Sequence, residues 1–181
     1  MTARILGFLY GDGCCYKNES NGAYVVEFEQ SRKNIETVEK YYQLMRKFGS
    51  VLKVVKGDKI RVTMYSKSLF QLLKKVKNNP EKYFKSLEEP EKLYFILGFL
   101  DADGSITKNE IVIYDKNKIL LEAIHDFLKM KRIKSNVRRN KNIWRLRIRS
   151  KNSLRSFLIL MRSLESNPVG EGEKADSQDP E

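Results

Sequence analysis

The nonapeptide Ile5-Leu6-Gly7-Phe8-Leu9-Tyr10-Gly11-Asp12-Gly13 returns 91 residues later as Ile96-Leu97-Gly98-Phe99-Leu100-Asp101-Ala102-Asp103-Gly104. The copies differ only at Tyr10 against Asp101 and Gly11 against Ala102. An offset of half a 181-residue chain implies two copies of one structural unit. Ile5, Leu6, Phe8 and Leu9 leave almost no polar face, so the run predicts a helix buried on most sides. Gly7 and Gly11, like Gly98 and Ala102, stand four apart on one helix face. Small residues in such a row let a second helix approach closer than the usual ~8–10 Å. Glycine inside a helix costs about 1 kcal/mol relative to alanine, and a close helix contact offsets that cost.

The aspartates are the unusual residues. Gly13 and Gly104 read as the glycine just past a helix end. Asp12 and Asp103 then sit at the negative pole of their helices, where a carboxylate is disfavoured by about 0.3–1 kcal/mol. If the helices pack side by side, both acids emerge together, and such crowding requires a cation or a raised pKa. Mg²⁺ resolves the conflict because it prefers carboxylate oxygen and keeps several waters. The free last-turn carbonyls of Gly11 and Ala102 are further oxygen donors. A single Asp-Gly is an ordinary turn. Two copies, each closing a buried apolar run with paired small residues, point to a metal site.

Both nonapeptides resemble the signature of the LAGLIDADG homing endonucleases, in the form with two repeats on one chain. The resemblance extends through the segments that follow each motif. It implies an α+β fold of two pseudo-symmetric αββαββα repeats, with motif helices packed at the centre and a saddle of antiparallel sheets over DNA. It further implies that Asp12 and Asp103 hold Mg²⁺, with Mn²⁺ or Ca²⁺ able to occupy the same sites, for phosphodiester cleavage. Gln30 resembles the family's accessory glutamine, which positions water. Asp115 holds the matching place in the second half, so the two sites are expected to be unequal. Lys17 and Lys108, each five past its aspartate, stand where a basic residue would support the phosphate. Tyr10 departs from the family's usual first acid, a position that is not the metal ligand. Two rival readings share the scaffold: an RNA-splicing maturase acting on intron RNA, and a catalytically silent DNA-binding module.

Charge points the same way. Lysine and arginine total 35 against 23 acids, a net +12. Residues 165–181 carry −5 of this, which leaves +17 on the rest. A body this basic suits a polyanion partner, here double-stranded DNA. No apolar run approaches the ~20 residues of a membrane span, and Met1 to Leu9 lacks the features of a signal peptide. Adjacent Cys14 and Cys15 argue against a routine disulfide and fit a reducing intracellular compartment. The lone His125 lies within a helical pattern and reads as packing or surface, and zinc-type spacing is absent. A monomer is expected, with a first repeat over 1–77, a connection over 78–91 holding Pro80 and Pro90, a second repeat over 92–164, and a disordered acidic tail over 165–181.

The strands carry the reading face. Cys14–Lys17 with Ala23–Gln30, and Val51–Lys56 with Lys59–Tyr65, read as hairpins. So do Ser105–Thr107 with Glu110–Asp115, and Lys134–Arg139 with Ile143–Arg149. A helix opened by Ser31 or Lys33 and running to Phe48 shows Ile35, Val38, Tyr42 and Met45 in register. Period-2 geometry sends Arg145, Arg147 and Arg149 to one side of their strand, with Arg138 able to join them. Arginine suits bidentate contact with guanine. The first half offers Lys59, Arg61 and Thr63, with Lys53 beside them. Glu27 and Glu29 of one leading strand, and Glu110, Val112 and Tyr114 of the other, complete the candidate DNA contacts. The two halves differ in side chains, so the expected target is long and imperfectly palindromic.

Overall fold

The computed structural model describes residues 2–166. From residue 167 on, the segment expected to be a disordered tail lies outside the described residues. The first half runs α1 (Thr2–Asp12), β1 (Gly13–Lys17), β2 (Tyr24–Ser31), a short 3-10 turn (Arg32–Asn34), α2 (Ile35–Arg46), β3 (Val51–Lys56), β4 (Lys59–Tyr65) and α3 (Lys67–Asn78). After α4 (Pro80–Ser86), the second half follows as α5 (Glu89–Asp103), β5 (Gly104–Ile106), β6 (Ile111–Asp115), α6 (Lys118–Met130), β7 (Ser135–Asn140), β8 (Ile143–Ile148) and α7 (Lys151–Ser166). Each half builds one antiparallel sheet, ordered β1-β2-β4-β3 and β5-β6-β8-β7. This is the α+β architecture of two pseudo-symmetric repeats that the motif resemblance implies.

Local chemistry sets the element boundaries. Ser66 caps α3 by accepting from the Leu69 amide at 3.2 Å, and Asn117 caps α6 by accepting from Leu120 at 3.0 Å. The β3–β4 turn needs Gly57, whose φ is +63°. Pro80 opens α4 at a position where its missing amide hydrogen costs nothing. The second motif helix starts earlier than the motif itself, at Glu89, inside the segment read as the connection. Glu88 and Glu91 form a capping box there, and Pro90 sits in the first turn.

The motif helices are buried against each other at the centre. In α1 every residue from Ala3 to Leu9 is buried, as is every residue of α5 from Leu93 to Leu100. A Cβ on Gly7 would overlap the Phe95 carbonyl oxygen, and one on Gly98 would overlap the Arg4 carbonyl oxygen and lie 2.7 Å from the Phe8 amide nitrogen. The two backbones therefore touch directly, with no room for a methyl group between them. Gly13 and Gly104 do stand just past the helix ends, but not in the left-handed conformation of a C-terminal glycine cap. Gly104 is extended, with φ −111° and ψ 173°. Glycine is needed there for space: a Cβ would lie 2.8 Å from the Cα of Leu9 or Leu100, in the last turn of its own motif helix.

One core runs through both halves. In the first, Phe8 stacks on Tyr41 of α2 at 3.7 Å and meets Phe28 of β2 edge-on at 5.0 Å. Burying rings of this size stabilises by about 1.5–3 kcal/mol each. The helical register of α2 turns one residue from expectation: Val38, Tyr41 and Met45 are buried, whereas Ile35 is exposed. Tyr41 takes the inward place because it stacks on Phe8 of α1, while Tyr42 is only partly buried against the same core.

Gly98→Ala is expected to cost roughly 1–3 kcal/mol of stability, the range for overpacking a filled core. Urea denaturation checks this; a variant as stable as the parent would show that the helices can part.

Candidate active site

Asp12 is the last residue of α1 and Asp103 the last of α5. The helix pair delivers them to one place. A Cβ on Gly11 would collide with the Asp103 carboxylate and lie 2.7 Å from the Ala102 Cβ. Gln30, at the end of β2, donates its amide to Asp12 Oδ2. The Gln30 Oε1 in turn accepts from Asn34 Nδ2 at 2.7 Å, which fixes the amide's orientation. Gly13 faces Phe28 and Gly104 faces Ile113, so Gln30 and Asp115, each two residues further on, are structural equivalents. The equivalence is not chemical. Asp115 Oδ2 accepts from the Tyr10 hydroxyl at 2.8 Å, and its Oδ1 accepts from the Asn117 amide at 2.9 Å. One motif acid has an amide donor beside it; the other has a second carboxylate.

Burial raises the Asp12 pKa to about 6, and the negative charge of Asp103 adds to this; the Gln30 hydrogen bond and the Lys77 charge work against it. Burial also raises Asp103, helped by Asp115 and opposed by Lys77. Burial and Asp115 hold the Tyr10 hydroxyl protonated, so it donates. Lys77 Nζ donates to the Tyr10 carbonyl oxygen at 3.0 Å, and desolvation lowers its pKa. A cavity of about 480 Å³ opens beside the end of α5, lined by Tyr10, Gly11, Lys77, Asp103, Asp115 and Lys116 among others.

This donor set fits one kind of ion. Among the described residues no group of three or more His, Cys, Asp or Glu side chains is disposed to enclose a metal. Two half-buried carboxylates with raised pKa values suit a hard divalent cation that takes one or two protein carboxylates and completes its shell with water and substrate phosphate. The last-turn carbonyls of Gly11 and Ala102 stand beside them.

Lys17 and Lys108 are not brought to the carboxylates. Lys17 ends β1, and a strand rises about 3.3 Å per residue, so five residues carry it to the far end of the hairpin. There its ammonium lies 5.7 Å from the Tyr24 ring centre. Lys108 occupies the equivalent turn after β5. The cation beside the acids is Lys77, from the last turn of α3, which the sequence reading missed. A helix that returns from the strand ends to the molecular centre was the available signal. Asp101, the counterpart of Tyr10, points away from the site and accepts from Lys40 Nζ and the Tyr41 hydroxyl, both at 2.7 Å, and from Arg4 at 3.4 Å. His125 lies elsewhere, paired with Ser135 at 2.8 Å.

The sheet faces away from the helices carry most of the candidate contact residues. In the first sheet Glu29 binds Lys59 at 2.8 Å and Arg61 at 3.0 Å, and Glu27 accepts from Thr63 at 3.3 Å. Lys53 does not belong to this face. Register places it opposite Val62, on the inner side, where it binds Glu39 of α2 at 2.6 Å and lies 4.5 Å from the Tyr42 ring centre. Leu52 and Val54 occupy the outer positions of β3 and are exposed. In the second sheet Val112 faces Arg147, and Tyr114 and Arg138 both face Arg145. Glu110 pairs with Arg147. Arg138 and Arg149 are exposed, and the Arg145 Nε is buried without a hydrogen-bond partner among the described residues.

The model of the LAGLIDADG-like domain matches residues 90–161. The second repeat of this chain thus carries a LAGLIDADG-like domain. It is similar to two uncharacterized proteins of Methanocaldococcus jannaschii, 28% identical over 86% of this chain and 30% identical over 77% of it. It spans 64% and 57% of those relatives' lengths. The homing endonuclease I-DmoI of Desulfurococcus mucosus is 27% identical, over 71% of this chain and 69% of that protein. A variant of I-DmoI in complex with its target DNA, in the presence of manganese, shares the fold with a TM-score of 0.73 at 21% identity, over 93% of this chain and 97% of that one. No helix among the described residues is long and apolar enough to cross a membrane.

Without divalent metal, stability should fall as pH rises. Folded Asp12 binds its proton up to about pH 6, against about 3.9 in an unfolded chain. Its contribution is therefore fully present below about pH 4 and is lost as pH rises through 6. Solvent screening at these half-exposed groups keeps the effect on the order of 1 kcal/mol. Thermal melts of Asp12→Asn should show a flatter pH profile and a higher Tm at pH 7; an unchanged profile would remove Asp12 as its source.

Proposed function

We propose that this chain is a site-specific homing endonuclease that makes a metal-dependent double-strand cut in a long, imperfectly palindromic DNA target. The observation that carries this reading is the convergence of Asp12 and Asp103 at the ends of two touching helices, between two sheets with polar outer faces. I-DmoI, which shares this fold, is a homing endonuclease whose variant is seen with its target DNA in the presence of manganese. In this chain Asp12 and Asp103 would hold the metal, Mg²⁺ in the first instance, with Mn²⁺ or Ca²⁺ able to replace it. A bound divalent ion lowers the pKa of attacking water and stabilises the leaving oxygen.

The chain's own residues supply the rest. Gln30 keeps its amide hydrogen on Asp12, so that this carboxylate is oriented before substrate arrives. Lys77 offers a positive charge beside Asp103, suited to a scissile phosphate. Tyr10 holds Asp115 by a hydrogen bond and limits its freedom to move toward Asp103. The two strands would therefore be cut at sites of different chemistry, and unequal cutting rates follow.

Glu29, Lys59 and Arg61 would meet one half of the target, and Arg138, Arg145, Arg147 and Arg149 the other. Arg145 stands on this face opposite Tyr114 and Arg138, where its guanidinium can take an acceptor from outside. Arginine against guanine O6 and N7 supplies such acceptors. Glutamates on this face can accept from cytosine N4, whereas Val112, expected to touch a thymine methyl, is buried under its neighbours and does not present its side chain.

The test is incubation with Mg²⁺ and a plasmid carrying the intronless host-gene junction. Linear product is expected from the parent protein. Asp103→Asn should abolish cleavage, by at least 100-fold, while gel-shift binding in Ca²⁺ stays within a few-fold of the parent. Binding without cleavage by the parent would favour a silent DNA-binding module, and preference for folded intron RNA would favour a maturase. In nicking assays Gln30→Ala is expected to slow one strand more than the other; equal slowing would contradict unequal sites.

A further inference from the structure

Lys17 and Lys108 are pseudo-symmetry mates that the active site leaves unused, and each stands in a second basic cluster. Lys108 and Asn109, in the β5–β6 turn, form one wall of a cleft of about 630 Å³. The other wall is α7, with Lys151, Arg155 and Arg162, and Arg149 at the end of β8 closes one side. Leu154 and Leu158 add apolar lining, and among the described residues no carboxylate lines the cleft. Lys108, Arg149, Lys151 and Arg155 are exposed, and their side chains have no ion pair among the described residues. In the first half, Lys17 and Lys67 both lie 5.7 Å from the Tyr24 ring centre. Lys67 is the first residue of α3, as Lys151 is of α7. A lysine at the tip of the first hairpin of the repeat and the first lysine of the repeat's last helix thus pair in both halves.

Cations gathered in a concavity repel one another unless an anion enters. Lone anions would answer one or two of them; a duplex, with about one charge per 1.7 Å of its axis, answers several at once. Both clusters stand at the hairpin tips remote from Asp12 and Asp103, where a duplex running along the outer faces would leave the sheets. We propose that the cleft between the β5–β6 turn and α7 clamps the phosphodiester backbone of duplex DNA flanking the base-read half-site. The Lys17–Lys67 pair is its weaker counterpart in the first half. This rests on the reading that the sheets bind DNA, and deepens it by assigning affinity to Lys108, Lys151 and Arg155, which read no base.

The double variant Lys151→Ala/Arg155→Ala tests it, with a thermal melt to verify folding. Binding to a long target should weaken roughly 10- to 100-fold at about 0.1 M salt, and the slope of log K against log salt should become shallower by about 2, near 0.9 for each lost phosphate contact. Trimming the duplex beyond the second half-site should weaken the parent to the level of the variant and leave the variant unaffected. Cleavage at saturating protein should not change. A variant that keeps the parent's slope and length dependence overturns the clamp while leaving DNA binding intact. A variant impaired only toward single-stranded RNA also overturns it. A parent that binds no duplex overturns the underlying reading as well.

Discussion

Backbone-to-backbone contact between α1 and α5 is the constraint on which the rest of the molecule depends. Gly7 faces the Phe95 carbonyl and Gly98 faces the Arg4 carbonyl, with less space than a Cβ requires. Because the helices cannot be held apart by side chains, their last residues arrive together, and Gly11 rests against the Asp103 carboxylate. The same contact makes two sheets, formed from separate halves of the chain, share one core. A larger residue in the contact row would disturb the core and the carboxylate pair at once.

Pseudo-symmetry then breaks where chemistry matters. Across the axis, Tyr10 of the first half holds Asp115 of the second, while Asp101 of the second is held by Lys40, Tyr41 and Arg4 of the first. The only two differences between the nonapeptides thus lie in the contact row and at a cross-link between halves. Gln30 and Asp115 occupy equivalent strand ends with opposite hydrogen-bonding character. Lys77 adds a cation on one side of the axis.

The outer sheet faces differ in a second way. In the first sheet Glu29 pairs with both Lys59 and Arg61, so that face is largely neutralised from within. In the second, Glu110 answers Arg147, and Arg138, Arg145 and Arg149 carry no ion pair among the described residues. On the outer faces the unpaired positive charge therefore lies mainly on the second half, continuous with the cleft beside α7. A polyanion would meet that half first, because unscreened charge steers encounter.

The repeated motif was legible in the sequence because apolar periodicity and spaced small residues are local signals, and so were both aspartates at the helix ends. Hairpin turns such as Gly57-Asp58 were legible for the same reason, and the alternation of β8 put Arg145, Arg147 and Arg149 on one face. Other features depended on register and phase, which neighbours decide. Lys53 faces α2 because β3 pairs with β4 one residue away from the alternative that would turn it outward. Tyr41 rather than Tyr42 is fully buried because α1 lays Phe8 against it. Lys77 reaches the acids, and Lys17 and Lys108 do not, because α3 returns to the centre while β1 and β5 run outward from it. Sequence alone determined which residues form the paired helices and that two carboxylates end them. Only tertiary packing decided which cations stand beside those acids, since that follows from where distant elements cross.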